Sequence, residues 1–257
     1  GLDQQSLFKP VTKKTWTVKN TKKIPKTFSD AFNLAMSPRR GPVCINLPRN
    51  ILAKKENFKI NEKIQSFDNQ NSTKAKFYYI KKAVQIIKNS NKTVIIAGAG
   101  IKYSLKYKNV VKLAELLNVP IVTAAGHGDA IPFNHKLNAG QMGPRGNLVA
   151  SKLVKNANVI IALGTRLGFN STFYSYENIN KKAKIIQIEL EKRMIGRYFP
   201  VAVGIYGDAA TIAEQLYKEI KKQNIILDVQ KWTNNYLNER KNFLLGRDKF
   251  AQKNFPI

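Results

Sequence analysis

The chain has 257 residues, 43% hydrophobic and 10% aromatic, which is enough to bury a sizeable core and excludes a disordered chain. Its 44 basic residues against 16 acidic ones give a formal charge of +28. These are mostly lysines scattered along the whole chain, without arginine clusters or a nucleic-acid-binding module, so no nucleic-acid partner is expected. No apolar run approaches the roughly 20 residues of a membrane span, no secretory signal opens the chain, and the single cysteine, Cys44, excludes an intramolecular disulfide and fits a reducing cytoplasm.

In chain order, Ile24, Phe28, Ala31, Phe32 and Ala35 recur at helical spacing and predict a helix over Ile24 to Met36, stopped at Ser37-Pro38. Arg39 to Pro42 reads as a turn, and Val43 to Leu47 as a short buried strand closed by Pro48. Residues 53–74 shift to Lys, Asn, Gln and Ser and read as a linker. A helix carrying Ala83, Val84, Ile86 and Ile87 then leads into a strand, Val94 to Ala97. A second helix, Asn109 to Leu117, leads into Ile121 to Ala124, and a third, Leu148 to Lys155, into Val159 to Leu163. Strands follow at Ile185 to Glu189 and Val201 to Ile205, then the amphipathic helix Ala209 to Ile220.

Near-continuous apolar strands alternating with helices are what a parallel sheet covered on both faces requires. The expected fold is therefore α/β: a doubly wound, Rossmann-like domain over residues 75–222, preceded by part of a second α/β domain. Residues 223–257 are polar and basic with one weak helix, Val229 to Leu245, and read as a connection to a further domain. The opening at Gly1, not at a methionine, reads as the interior of a longer chain.

Two segments invite a ligand. Gly98-Ala99-Gly100 follows a strand, where glycines let backbone amides approach a phosphate. A third glycine and an acidic residue at the end of the following strand are missing, so the nucleotide signal is weak and a tight strand-to-helix turn explains the pair better. Gly164-Thr165-Arg166 sits likewise at the carboxyl end of a strand, where sheets of this class bind ligands. His127 and His135 lie with Asp129 in a long glycine-rich loop, residues 125–146. Their spacing matches no metal-ligand pattern, so hydrogen bonds that order the loop are expected and no metal site is assigned.

Arg40-Gly41-Pro42-Val43-Cys44-Ile45-Asn46-Leu47-Pro48-Arg49-Asn50, Ala97-Gly98-Ala99-Gly100-Ile101, Ala162-Leu163-Gly164-Thr165-Arg166 and Tyr206-Gly207-Asp208 occur in an order that resembles thiamine diphosphate-dependent enzymes of the acetolactate synthase type. Within that family, Thr123 to Gly146, Gly168 to Tyr176 and Ile195 to Pro200 look most like the sulfoacetaldehyde acetyltransferases. The resemblance implies that residues 1–52 end a pyrimidine-binding domain and that 75–222 form the central domain. It implies a transferase reaction, sulfoacetaldehyde plus phosphate to acetyl phosphate plus sulfite, with acetolactate synthase-like carboligation or a stand-alone dinucleotide-binding module as alternatives.

Thiamine diphosphate and magnesium would be held outside this chain, which would carry no catalytic residue and be inactive alone. Gly207-Asp208-Ala209 precedes Asn234-Asn235 at about the interval of the family's magnesium-diphosphate motif, but the asparagines follow no buried strand, and the match is set aside. Central domains of the family hold FAD or an ADP-type nucleotide in some members. Matched residue by residue, those contacts select Gly98, Gly100, Met142, Gly164, Arg166, Glu189 and Asp208. Gly168 stands where flavin-binding members carry an acid, which leaves an empty central domain equally open. Arg145, Arg197 and the lysines near Lys13 are candidates to meet a small anionic substrate, and the family implies a homo-oligomer, dimer or tetramer, for the full-length enzyme.

Overall fold

The computed structural model describes residues 2–37, 40–58 and 73–254. Most of the linker expected at 53–74, and part of the turn at 39–42, lie outside the described residues. The chain divides into two compact units, residues 1–71 and 72–257.

In the first unit, helix α1 (Gln4–Phe8) is followed by strand β1 (Thr15–Thr17), helix α2 (Ile24–Met36), strand β2 (Cys44–Asn46) and helix α3 (Arg49–Leu52). β1 and β2 pair in parallel, Trp16 opposite Ile45. Pro25 sits in the first turn of α2, where its missing N–H costs nothing. At the other end, the Lys13 ammonium donates to the Leu34 carbonyl at 2.6 Å and to Ser37 Oγ at 2.6 Å. A cation there complements the negative end of the helix. Lys13 therefore closes α2, and its charge is already engaged within this unit.

The second unit alternates strand and helix: α4 (Phe77–Lys88), β3 (Thr93–Ala97), α5 (Ala99–Ser104), α6 (Tyr107–Leu117), β4 (Ile121–Thr123), β5 (Asn138–Gln141), α7 (Leu148–Asn156), β6 (Val159–Leu163), α8 (Phe169–Thr172), β7 (Lys184–Glu189), β8 (Val203–Tyr206), α9 (Ala209–Lys222) and α10 (Gln230–Asn254). The six strands form one sheet in the order β5-β4-β3-β6-β7-β8, and every pair is parallel. Chain order reverses between β3 and β6. This is the doubly wound, Rossmann-like arrangement expected from the sequence.

Alternation along each strand divides the core in two. Ile95, Ala97, Ile161 and Leu163 face α4, α6 and α9 through Ile80, Leu113 and Leu216. Val94, Ile96, Ile160 and Ala162 face α7 and α10 through Val149, Leu153 and Tyr236. Every residue of β3 and β6 is buried, and apart from Thr93 at the start of β3 both read as apolar runs.

Besides short elements the sequence reading did not give, such as β1, α5 and α8, two larger features of the second unit differ from it. The loop 125–146 contains a strand, β5, whose residues Asn-Ala-Gly-Gln carry no β-branched side chain. Side-chain bonds within the loop support it, beside its pairing with β4. Asn138 donates from Nδ2 to the Pro132 carbonyl at 3.0 Å and accepts the Gly140 N–H at 2.8 Å.

The C-terminal helix is longer than expected, and its first turns belong to the second unit. Trp232 Nε1 donates to the Thr93 carbonyl at 3.1 Å, Thr233 Oγ1 donates to the Asn118 carbonyl at 2.8 Å, and Asn156 Nδ2 donates to the Tyr236 hydroxyl at 2.8 Å. Tyr236→Ala is expected to destabilise the second unit by about 3 kcal/mol, in the range of aromatic truncations in cores. Urea unfolding followed by far-UV circular dichroism checks this; a change below about 0.5 kcal/mol, the level of an exposed substitution, would make the helix a mere connector.

Candidate functional site

The carboxyl ends of β3, β6, β7 and β8 bring Gly98, Gly164, Glu189 and Asp208 to one edge of the sheet, and Met142 follows β5 at the same edge. Gly98, Gly100 and Gly164 come together there by backbone contact. The Gly98 amide donates to the Leu163 carbonyl at 3.0 Å, and the Gly100 amide to the Gly164 carbonyl at 2.9 Å. A Cβ on Gly98 would lie 2.5 Å from the Gly164 oxygen, and one on Gly100 2.7 Å from the Gly164 Cα. Gly164 itself has φ +60°, in the left-handed region that favours glycine.

These glycines have a packing role. They let two loops cross in contact, and the amides of Gly98 and Gly100, which a phosphate would need, are bonded to carbonyls. The helix that follows, α5, has only six residues. The tight-turn reading of Gly98-Ala99-Gly100 accounts for these bonds.

The other sequence-selected residues divide between structural roles and exposure. Asp208 is buried and accepts the Thr211 N–H at 2.7 Å, which caps α9. Glu189, half-buried, accepts the Leu190 N–H at 2.9 Å. Met142 is 1% exposed and packs in the core beside Ala124 and Val149. Arg145 and Arg166 are exposed. Asn234 and Asn235 lie exposed on α10 while Asp208 is buried as a cap, so this set does not form a magnesium-diphosphate site. No group of three His, Cys, Asp or Glu side chains able to hold a metal occurs among the described residues.

Of the two histidines, His135 makes the loop-ordering hydrogen bonds expected, and the His127 ring nitrogen Nδ1 has no partner among the described residues. His135 Nδ1 accepts the Leu137 N–H at 3.2 Å, and Nε2 faces Glu115 Oε1 at 3.4 Å. His127 stands beside the Tyr103 ring, with the Lys102–Asp129 ion pair, 2.8 Å, next to it. Burial holds the His127 pKa below 6.5, the charges of Lys102 and Arg166 add to this, and Asp129 opposes them.

The sequence reading missed a rim built by two loops at this edge. The loop after β6 turns on buried hydroxyls. Thr165 Oγ1 accepts the Leu167 N–H at 3.2 Å, Thr172 Oγ1 donates to the Leu167 carbonyl at 2.9 Å, and Ser171 Oγ accepts the Ala125 N–H at 3.0 Å. Leu167, Phe173 and Tyr174 have φ of 54°, 51° and 55°, left-handed conformations that side chains normally avoid. The loop turns Arg166, Phe169, Phe173 and Tyr174 outward. The loop after β7 brings Tyr198, which stacks on Tyr174 at 4.3 Å between centroids, and Arg197, whose guanidinium lies 5.5 Å from the Tyr198 ring. A hydrogen bond to Tyr198 raises the Tyr174 pKa, and the nearby Arg166 charge opposes that shift. The legible signals were a serine-threonine run after an arginine and a glutamine, Gln187, inside an apolar strand.

The family model described as "Thiamine pyrophosphate enzyme, central domain" matches residues 80–216. A probable acetolactate synthase large subunit of Methanococcus aeolicus is 29% identical over 245 residues, 91% of this chain and 41% of that protein. The acetolactate synthase large subunit of Buchnera aphidicola subsp. Schlechtendalia chinensis is 32% identical over 90% of this chain and 41% of its own length. A sulfoacetaldehyde acetyltransferase of Alcaligenes xylosoxydans xylosoxydans is 32% identical over 89% of this chain and 38% of its own length. The chain thus spans about two fifths of the length of these curated relatives.

Two outcomes follow from the geometry. Gly164→Ala is expected to cost about 2–4 kcal/mol, combining a left-handed alanine with overpacking against Gly100; a loss below about 1 kcal/mol in urea unfolding would refute the close contact. The second concerns pH. A histidine whose pKa is lowered on folding binds protons more readily when unfolded, so its contribution to stability falls as pH drops below about 6.5. In His127→Gln the loss of stability between pH 7.5 and 5.5 should be shallower than in the parent, as read from urea midpoints at the two pH values.

Proposed function

Because this chain belongs to the thiamine pyrophosphate enzymes through their central domain, we propose that the protein acts as a thiamine diphosphate-dependent acyltransferase on sulfoacetaldehyde. With phosphate as acceptor it forms acetyl phosphate and releases sulfite. The carbon–sulfur bond breaks and sulfite leaves with its electron pair. The aldehyde carbon rises to the acyl level while the methylene becomes a methyl group, so the reaction balances without an external oxidant. The acyl–oxygen bond to phosphate replaces the bond lost.

One observation carries this reading: the carboxyl edge presents arginines and tyrosines around a backbone contact whose amides are already bonded. Such an edge suits a small organic anion better than a dinucleotide. The acetyltransferase relative, 32% identical across 89% of the chain, supports it. We assign anion binding to Arg166 and Arg197 in preference to Lys13, which closes α2. A cytoplasmic homo-oligomer is part of the same proposal. Among the described residues no helix is long and apolar enough to cross a membrane.

Acetolactate synthase-like carboligation is the second reading, favoured by acetolactate synthases of similar identity that match the same extent of chain. The full-length protein, supplied with thiamine diphosphate and magnesium, separates the two. Sulfite release from sulfoacetaldehyde that requires phosphate is the expected result. Acetolactate formed from pyruvate with no sulfite released would establish the second reading instead.

A further inference from the structure

Gln187 occupies the middle of β7 and is 2% exposed, in a strand whose neighbours Ile186 and Ile188 are wholly buried. An unpaired amide there would be costly, yet both its ends are bonded. Nε2 donates to the Thr165 carbonyl at 3.1 Å, and Oε1 accepts the Gly196 N–H at 2.8 Å. Thr165 opens the loop that carries Arg166 and Tyr174. Gly196, with φ +71°, opens the turn that carries Arg197 and Tyr198. The two loops are far apart in sequence, and the outer ends of both meet in the Tyr174–Tyr198 stack.

We propose that Gln187 is a positioning residue that locks these two loops in register, so that Arg166 and Arg197 face one small organic anion across the Tyr174–Tyr198 pair. The anion's chemical class, a sulfonate, rests on the acyltransferase reading; the coupling of the loops does not. The geometry of the rim is consistent with this role. Three left-handed non-glycine residues in the first loop hold only if bonds beneath them fix the backbone. Thr165, Ser171 and Thr172 supply some of those bonds, and Gln187 ties the loop's first carbonyl to the second loop. The Arg166 charge acts on Tyr174, and Arg197 lies over Tyr198, so each loop contributes one arginine and one ring.

The test uses the full-length protein with thiamine diphosphate and magnesium, labelled with 3-fluorotyrosine, its Tyr174 and Tyr198 resonances assigned through Tyr174→Phe and Tyr198→Phe. Gln187→Met keeps side-chain volume and removes both hydrogen bonds. Both fluorine resonances should move together toward the exposed-tyrosine position. Binding of methanesulfonate should weaken about tenfold, and KM for sulfoacetaldehyde should rise about tenfold with kcat within threefold. Gln187→Glu retains the acceptor for Gly196 and sets a carboxylate against the Thr165 carbonyl; its fluorine spectrum should return toward the parent's as pH falls and the acid becomes a donor again.

Unmoved resonances in folded Gln187→Met, or an unchanged KM once they have moved, would overturn the proposal. Should Gln187→Met fail to fold, Arg166→Met and Arg197→Met on the intact fold decide it: each must weaken methanesulfonate binding, and no change in either refutes the shared anion. A parent enzyme that binds methanesulfonate but releases no sulfite would sink the acyltransferase reading and leave the positioning role standing.

Discussion

Where β3 and β6 end, the chain order of the sheet reverses, and a crevice normally opens between the loops that leave in opposite directions. Here the Gly100 amide donates to the Gly164 carbonyl, and neither position has room for a Cβ. That backbone contact fixes the departure of both loops. One leads directly into the short helix α5 and on to α6. The other must swing outward at once, because Gly164 is left-handed and its carbonyl is already bonded. Arg166 emerges exposed for this reason, and the loop returns only through Ser171 and Thr172. A side chain at either glycine would separate the two central strands, on which the burial of β3 and β6 depends.

Elements defined by continuous apolar runs were legible in the sequence. Val159 to Leu163 coincides with β6, and Ile24 to Met36 with α2, because burial on one or both faces writes itself into residue spacing. β5 was not legible, since its residues are chosen for bonds to Pro132 and for the φ of +103° at Gly140, not for strand propensity. The same limit governed α10. Its composition is polar, and the side chains that hold it to the rest of the second unit, Trp232, Thr233, Tyr236 and Arg240 among them, are partly polar themselves, so apolar periodicity along it is weak.

The glycine motif shows a different failure. Gly98-Ala99-Gly100 is ambiguous as sequence because a phosphate and a crossing backbone make the same demand, the absence of a Cβ. Only the partner of each amide distinguishes them. The carboxylates behave alike: Asp208 and Glu189 stand where a nucleotide contact was expected, and each bonds an amide of its own chain segment. Residues selected by resemblance thus gather at the carboxyl edge of the sheet, where the bonds they make are to the chain itself. Of the side chains at this rim, Arg166 and Arg197 were already candidates in the sequence, while Tyr174 and Tyr198 came from segments recognised as similar but not assigned a role.

Polar atoms buried beside this edge fall into two groups. Gln187, Thr165 and Thr172 are satisfied, and they turn loops that contain left-handed side chains into fixed geometry. Thr123 Oγ1, at the end of β4, and His127 Nδ1, in the loop that follows, have no hydrogen-bond partner among the described residues. A buried hydroxyl or ring nitrogen in that condition lowers stability by about 1–3 kcal/mol. An apolar residue would be cheaper at either position if packing were the only demand. Three left-handed side chains and these two unpaired atoms lie at the carboxyl edge, while left-handed Asn118 and Asn224 and the unpartnered Arg240 Nε lie elsewhere in the same unit. Local departures from stability that cluster in this way mark where a fold serves something besides its own folding. In this chain the densest such group, Leu167, Phe173 and Tyr174, lies in the loop after β6.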